Sequence, residues 1–427
     1  MRLPAAKEKM LSQVPPPTGE RSSEHSSLRP LLVTNDFPPA IGGIQRFAYE
    51  LASRLGDTAV LAGAHPDARA HDRGLGFPVM RSLEPFMLPT PRSAARIREA
   101  VAAHHANVVL FCSPLPLGLL GPSVGAPWAV VAHGAELNIP ARAPGIAALT
   151  RRRLRDADML FAVSVYTAQR LRAFVGADGP PIKLLRNGVP LEAAPGQDPG
   201  CAVRRRLGLG DAPVITCVGR MVPRKGQDRL LAALPSIRRE VTGTRLLLVG
   251  DGRLRPRLER DAARLAPGSV VFAGSVPEDE LPGYFAAGDV FAHPNRSRWL
   301  GLEQEGFGII FLEAQARGRP VVAGRSGGAP EALREGETGI LVDGASVEEI
   351  AHAVAGLLAD RPHAARMGAA GRAFVREHFS WERIIPRLQA DLGAIASQGR
   401  TGPRHSCGHR SPISRREAPA GWLDHSR

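Results

Sequence analysis

Two glutamates carry the first chemical signal in this sequence. Glu305 and Glu313 bracket Gly306-Phe307-Gly308-Ile309-Ile310-Phe311-Leu312, two glycines and then an apolar run that Ala314, Gln315 and Ala316 continue as a helix. The simplest geometry is a loop carrying Glu305, a Gly306–Gly308 turn, and a buried helix holding Glu313. At helical spacing, residues eight apart stand about 12 Å apart along the axis and about 80° apart around it. Such carboxylates do not share one proton. They suit two acceptors gripping different hydroxyls of one long ligand. A solvated loop charge and a helix-start charge would give the same pair, so the surroundings decide.

The second signal is cationic. Val214–Val218 reads as a strand, and Gly219-Arg220-Met221-Val222-Pro223-Arg224-Lys225-Gly226 follows it. Arg220 and Lys225 at a strand's carboxyl end, with Gly226 allowing a tight path, make a phosphate site. Each charge-assisted contact there is worth about 1.5–3 kcal/mol. A third signal is the turn between the Pro30–Thr34 strand and a helix marked by Phe47, Leu51 and Leu55. Gly42 and Gly43 let the backbone approach a ligand closely, and the helix start points N–H groups at an anion. The turn is not G-x-G-x-x-G, which argues against an NAD oxidoreductase. His133 follows the strand Trp128–Ala132, and Gly327-Gly328 forms another glycine turn.

These residues need a scaffold that gathers strand ends. In the first half, strand-like runs are Ala59–Ala62, Asn107–Phe111, Trp128–Ala132, Met159–Val163 and Ile182–Leu185, with helical patterns near 93–105, 146–156 and 165–175. A second series starts at Val214–Val218 and continues through Arg245–Val249, Val270–Phe272, Val290–Ala292, Pro320–Ala323 and Ile340–Val342. Repeated β-α units imply parallel sheets with helices on both faces, and ligands gather at the carboxyl ends of their strands. The expected organisation is a disordered extension over 1–29, an α/β domain over 30–190, a linker over 191–212 and a second α/β domain over 213–379. A helix over 380–397 either finishes the second domain or crosses back to the first, and a disordered basic tail covers 398–427.

Composition narrows the partners. The chain has 427 residues, a net charge of +14 and 44% hydrophobic residues, enough for two cores. The charge favours anionic partners. Part of it sits in the tail, which has six arginines after Gln398. Aromatics are only 5%, too few for the stacking platforms of a nucleic-acid binder. Four scattered cysteines suggest neither zinc nor a disulfide framework. Residues 1–29 lack the apolar centre of a signal peptide. Prolines and glycines break the uncharged stretch from Asn107 to Ala135 into pieces too short to span a bilayer. The expected location is cytoplasmic. Arg92, Arg96 and Arg98 on one helix, and Arg151, Arg152, Arg153 and Arg155 on another, read as solvated faces or as a surface for anionic lipid headgroups. Asp156 and Asp158 mimic a metal clamp, but they lie where a helix ends and a turn begins. No metal ligand is assigned.

Together, Pro39 with Gly42-Gly43, His133-Gly134, Gly219-Arg220 with Lys225-Gly226, Glu305 with Glu313, and Gly327-Gly328 resemble a family of retaining glycosyltransferases. That family includes bacterial lipid mannosyltransferases and sucrose and glycogen synthases. The resemblance covers about residues 30–395 and implies the GT-B fold, two Rossmann-like domains facing a cleft. Asp36-Phe37-Pro38-Pro39, Gly42-Gly43-Ile44-Gln45, Val222–Gln227, Ala287–Phe291 and the loop Gly301–Gly306 resemble in particular the actinobacterial enzymes that transfer mannose from GDP-mannose to phosphatidylinositol mannosides.

By that resemblance, Arg220 and Lys225 bind the donor diphosphate, and Gly42, Gly43, Gly250, Val276, Gly306, Phe307 and Gly308 line the donor. Glu313 takes the ribose hydroxyls, while Glu305 and His133 hold the transferred sugar. The catalytic set is His133, Arg220, Lys225 and Glu305, with no metal and no cofactor beyond the nucleotide-sugar substrate. The acceptor is a lipid or glycan, with peripheral contact to an anionic membrane and no nucleic acid. Gly250–Gly252 and Ser275–Val276 would choose the base, and Glu136–Pro144 the acceptor. The alternatives are a hexosyltransferase using a UDP- or GDP-sugar for a polysaccharide or small molecule, and a GT-B sugar-nucleotide epimerase.

Overall fold

Away from the sheet edges, short apolar runs fold here as buried parallel strands, because helices cover both faces. A computed structural model describes residues 28–138, 144–191, 199–299 and 303–398. The expectations for the terminal extension and the basic tail therefore lie outside the described residues, apart from residues 28–29 and Gln398. So do most of the Glu136–Pro144 loop, the middle of the linker, and Leu300 to Leu302.

The first sheet comprises β1 (Pro30–Thr34), β2 (Ala59–Ala62), β3 (Val79–Arg81), β4 (Val108–Phe111), β5 (Trp128–Ala132), β6 (Met159–Ala162) and β7 (Ile182–Leu184). Its order is β3-β2-β1-β4-β5-β6-β7, with parallel pairing throughout. The second comprises β8 (Val214–Val218), β9 (Arg245–Val249), β10 (Val270–Gly274), β11 (Val290–His293), β12 (Val321–Gly324) and β13 (Gly339–Val342). Its order is β10-β9-β8-β11-β12-β13, also parallel.

Both orders reverse direction once, between β1 and β4 and between β8 and β11. Connections on the two sides of such a switch point diverge and leave a crevice at the strands' carboxyl ends. The Gly42-Gly43 turn follows β1. The Arg220–Lys225 loop follows β8, and the segment leading to Glu305 follows β11. Topology alone thus brings most of the sequence-identified residues to two rims.

Two elements depart from the sequence reading. β3 is a three-residue edge strand, partly exposed, and too short to show a pattern. The Pro199–Arg206 helix falls inside the expected linker. It buries little beyond Gly200 and Val203, so its apolar signal is weak. Arg204 anchors it instead, reaching Asp289 at 2.8 Å and the Ala287 carbonyl at 2.9 Å.

The chain crosses between the sheets twice, and the crossings run side by side. Val189 N–H donates to the Phe379 carbonyl at 3.0 Å, and Val189 pairs with Ser380 as a parallel bridge. The Trp381–Ser397 helix then packs on the first domain. Gln389 donates to the Leu55 carbonyl at 3.2 Å. Trp381 is buried, its ring 6.3 Å from that of Phe47 and beneath the Arg54 guanidinium. A Cβ on Gly188 would come within 2.4 Å of the indole. Trp381→Ala is expected to cost about 3–5 kcal/mol of stability, read as a lower denaturation midpoint with an unchanged slope.

Candidate active site

Glu305 is the hub of the second rim. Its Oε2 accepts from Lys225 Nζ at 2.7 Å, Arg224 at 3.1 Å and Asn295 Nδ2 at 2.9 Å. Burial pushes this carboxyl up, but the charges of Lys225 and Arg224 outweigh burial and hold it at about 2. Glu305 is therefore ionised at any working pH. The loop that carries it is backed by glycines. Gly327 has a φ of +56°, and a Cβ there would come within 2.0 Å of the Glu305 carbonyl. Gly328 N–H donates to that carbonyl at 2.9 Å. The Gly327-Gly328 turn thus shapes the Glu305 loop through its backbone.

Behind Glu305 lies a buried polar chain. Asn295 uses its amide N–H on Glu305, so its Oδ1 is left as an acceptor 3.0 Å from His293 Nδ1. His293 Nδ1 therefore carries the proton. Burial, followed by the nearby Lys225 charge, lowers His293 to about 3. Its folded value lies below its ordinary one, so the neutral ring is stable at every pH above about 3. The imidazole is expected not to titrate between about pH 5 and 8, which its NMR shifts would check. A titration midpoint near 6.5 would show that the ring is not held in this chain.

Arg220 is exposed at the end of β8, and its guanidinium makes no hydrogen bond or ion pair among the described residues. Its carbonyl accepts from Gln227 at 3.2 Å. Gly250, with φ +117°, closes on Gly219, where a Cβ would come within 2.4 Å of the carbonyl. The Gly250 N–H is used on the Gly274 carbonyl at 2.7 Å. Val276 is half-buried against the core. Phe307 turns inward, its ring 5.6 Å from Phe379, so only its backbone is left for a ligand. Gly308, left-handed at φ +88°, opens the Ile309–Ala316 helix that carries Glu313.

The first domain meets this rim closely. A Cβ on Gly306 would come within 2.3 Å of the His133 carbonyl, so the Glu305 loop touches the His133 loop backbone to backbone. Ser164 Oγ donates to the Gly306 carbonyl at 3.1 Å. The Glu331 carboxylate accepts from Val165 and Tyr166 N–H, both at 2.7 Å, and so caps a first-domain helix from the second domain. His133 Nε2 lies 2.9 Å from the Cys112 carbonyl. A carbonyl only accepts, so Nε2 carries a proton. Asp36 stands nearby. Burial raises its carboxyl, while His133 works against that shift.

Glu313 is buried and bound across the cleft to Arg46, on the Gly43–Arg54 helix. Arg46 also reaches Glu278 at 2.8 Å. Burial raises the Glu313 carboxyl, and the Arg46 charge opposes the rise. A cavity of about 20 Å³ lies beside this pair, room for about one water. Gly42 is fully extended, and a Cβ there would meet the Gln45 side chain, whereas Gly43 has open space.

The structure therefore joins Lys225 with Glu305 and brings His133 against Gly306. It places Glu313 in a neighbouring cluster with Arg46, and Arg220 on the same rim as Lys225 without direct contact. Arg46, Arg224, Asn295 and His293 were not among the sequence candidates. Arg224 lies inside the Gly219–Gly226 motif and Arg46 adjoins Gly42–Gln45, which was their only signal. Asp158 accepts from Trp128 N–H at 2.9 Å, a structural role.

Comparison with known proteins agrees with this architecture. Residues 212–360 match the model for glycosyl transferases group 1, and residues 41–193 match that for glycosyltransferase family 4. A GDP-mannose-dependent alpha-(1-6)-phosphatidylinositol monomannoside mannosyltransferase of Mycolicibacterium smegmatis is 43% identical over 372 residues, covering 84% of this chain and 96% of that protein. A GDP-mannose-dependent monoacylated alpha-(1-6)-phosphatidylinositol monomannoside mannosyltransferase of Corynebacterium glutamicum is 37% identical, covering 85% of this chain and 97% of that one. Among solved structures, sucrose-phosphate synthase from Thermosynechococcus elongatus superposes with a TM-score of 0.73 at 22% identity, covering 87% of this chain and 100% of that one. Anabaena HepE, solved with UDP and glucose, superposes with a TM-score of 0.71 at 20% identity over 86% of this chain and all of HepE. This chain, with its two Rossmann-like domains in the GT-B arrangement, belongs to the family 4, group 1 glycosyltransferases.

Proposed function

We propose that this protein transfers mannose from GDP-mannose to a hydroxyl of a phosphatidylinositol mannoside, with retention at the sugar carbon. The observation that carries this reading is the 37–43% identity, over 84–85% of this chain, with relatives named for that reaction, joined to an ionised Glu305 tied to Lys225 at the cleft.

Lys225 and Arg220 take the donor diphosphate. As the bond between sugar carbon and phosphate oxygen breaks, its electron pair stays on that oxygen, and the two cations stabilise the growing charge. The sugar carbon becomes oxocarbenium-like, and the acceptor hydroxyl attacks from the face the leaving group quits. The hydroxyl's proton passes to the departing phosphate oxygen, so GDP and the mannosyl acceptor are the balanced products. Glu305 accepts hydroxyls of the mannose, and its low pKa keeps it an acceptor. His133 holds the far side of the sugar from the first domain. Glu313 takes the ribose hydroxyls, which would share or replace its contact with Arg46. The backbone contact of Gly306 with His133 excludes water from the reacting centre. No cofactor takes part.

The acceptor is anchored in a lipid surface, so the protein works at a membrane. Among the described residues no helix is long and apolar enough to cross one. Ile146 and Leu149 are 47% and 45% exposed on the Pro144–Arg155 helix, which also exposes Arg152 and Arg155. An amphipathic basic helix of this kind lies in the headgroup plane. The test is incubation with labelled GDP-mannose and UDP-glucose against a membrane lipid extract. The expected product is a mannosylated glycolipid from GDP-mannose. Transfer only from UDP-glucose, or product formed without lipid, would overturn the reading.

A further inference from the structure

Away from the sugar-transfer cleft, a cavity of about 180 Å³ lies between β7 and the Trp381–Ser397 helix. That is an order of magnitude more than the roughly 10–15 Å³ one water needs. Its walls come from both interdomain crossings. Arg186 stands on the outgoing segment, while His378, Arg383 and Arg387 stand on the returning one. Arg383 and Arg387 are one helical turn apart, so they share a face. Neither guanidinium makes an ion pair or hydrogen bond among the described residues. The Nε of Arg186 is buried with no partner, which is costly for a charged donor.

The carboxylates on the wall do not balance these charges. Asp391 faces Lys183 at 3.8 Å, and Glu377 is largely in solvent. Arg334 adds a further cation beside His378, donating to its Nε2 at 3.2 Å. A guanidinium only donates, so His378 is neutral and presents its Nδ1–H as a donor. Burial lowers Arg186, the Glu331 charge opposes that shift, and the Arg387 charge adds to it. Burial lowers His378, the Glu377 charge opposes that shift, and Arg334, Arg186 and Arg383 add to it. Positive charge thus exceeds negative along this wall, where three arginines face two carboxylates, one of them near Lys183.

We propose that this cavity binds a phosphate-class anion carrying two or more charges, gripped by Arg186, Arg383 and Arg387. Guanidinium forks match phosphate oxygens bidentately. The bound anion would join the outgoing crossing to the returning helix beside the Val189–Ser380 bridge, and so stiffen the hinge between the domains. The site is separate from the Lys225 rim, and its existence does not depend on the donor or the acceptor of the transfer reaction.

The test uses inorganic pyrophosphate as probe and the full chain. Titration calorimetry would compare the unaltered protein with Arg383→Gln/Arg387→Gln, Arg186→Gln, Lys225→Ala and, as a charge control, Arg253→Gln. Arg253 is exposed on the second domain, away from the cavity. Each cavity arginine removed is expected to weaken one class of binding about tenfold or more. That class should survive Lys225→Ala and Arg253→Gln. Because Arg383 and Arg387 are exposed, the double variant should keep its fold, and circular dichroism would check this. A second arm uses vesicles containing phosphatidic acid. Sedimentation lost in the double variant and competed away by pyrophosphate would assign the site to a lipid headgroup. Pyrophosphate binding that needs Arg383 and Arg387, with no sedimentation that depends on them, would assign it to a free anion. Pyrophosphate and vesicle binding both unchanged in the double variant, or weakened equally by Arg253→Gln, would overturn the proposal.

Discussion

Glu305→Ala is expected to cost about 3–5 kcal/mol of stability and to lower sugar transfer about 10²–10³-fold. Three donors converge on one oxygen of this carboxylate, two of them cationic. Deleting it leaves the Lys225 and Arg224 charges facing each other in a site where the Lys225 side chain is 12% exposed. Unpaired buried cations are the costly residue of such a deletion, more than the lost attraction itself. Denaturation and steady-state kinetics on the same sample would separate the two losses. Glu305→Gln keeps the shape and the Asn295 contact but not the charge, so it should recover part of the stability and little of the rate. A folded Glu305→Ala protein with undiminished transfer would remove Glu305 from the reaction.

Lys225→Ala should lower transfer by a similar 10²–10³-fold at a smaller cost in stability. Glu305 keeps Arg224 at 3.1 Å and Asn295 at 2.9 Å, so its charge stays partly matched. The loss should fall mainly on kcat, because the ammonium is proposed to meet charge that develops as the donor bond breaks. Lys225→Arg should recover only part of the rate, since a planar fork does not replace a compact point charge. The same substitution has a pH signature. The Glu305 carboxyl sits at about 2 against an ordinary 4.5. A depressed acid contributes stability that is complete above the unfolded value and is lost as the pH falls through the folded one. In the unaltered protein that loss runs from about 4.5 down to about 2. Without Lys225 the folded value rises towards 4.5, so the window narrows and the contribution shrinks. Acid denaturation of the two proteins would show it.

Much of this was readable from the chain. The apolar runs of β1, β2, β5, β8 and β9 announce buried parallel strands, and their succession announces two doubly wound sheets. The glycine turns then fall where the sheet order reverses. What the sequence hid is pairing across distance. Glu305 and Lys225 stand 80 positions apart in the chain, and nothing local says that they bond. Arg46 looks like any cation in the first turn of a helix, yet it is bound to Glu313, 267 positions on. His293 and Asn295 sit in and just after a strand and read as ordinary strand-end residues. Their role follows only from which atoms are left as donors once Glu305 is satisfied. Phe307 errs the other way. It lies in a loop of candidate residues, but its ring belongs to the core beneath the loop.

The seam between the domains has the same character. Glu331 caps the helix that begins at Val165, and Ser164 reaches the Gly306 carbonyl, so the position of the Glu305 loop is set by both domains at once. Separating the domains would break the His133–Gly306 contact and the Arg46–Glu313 pair together. The proposed donor contacts and the contacts between the domains thus share residues 305–313.

The central claim is that a nucleotide diphosphate binds at the Lys225 rim with its ribose at Glu313. A crystal structure of the protein with GDP tests it most directly. The expected result is phosphate oxygens within hydrogen-bond distance of Lys225 Nζ and the Arg220 guanidinium, with ribose hydroxyls on Glu313. A diphosphate bound away from both cations, or a ribose that leaves Glu313 untouched, would contradict the account.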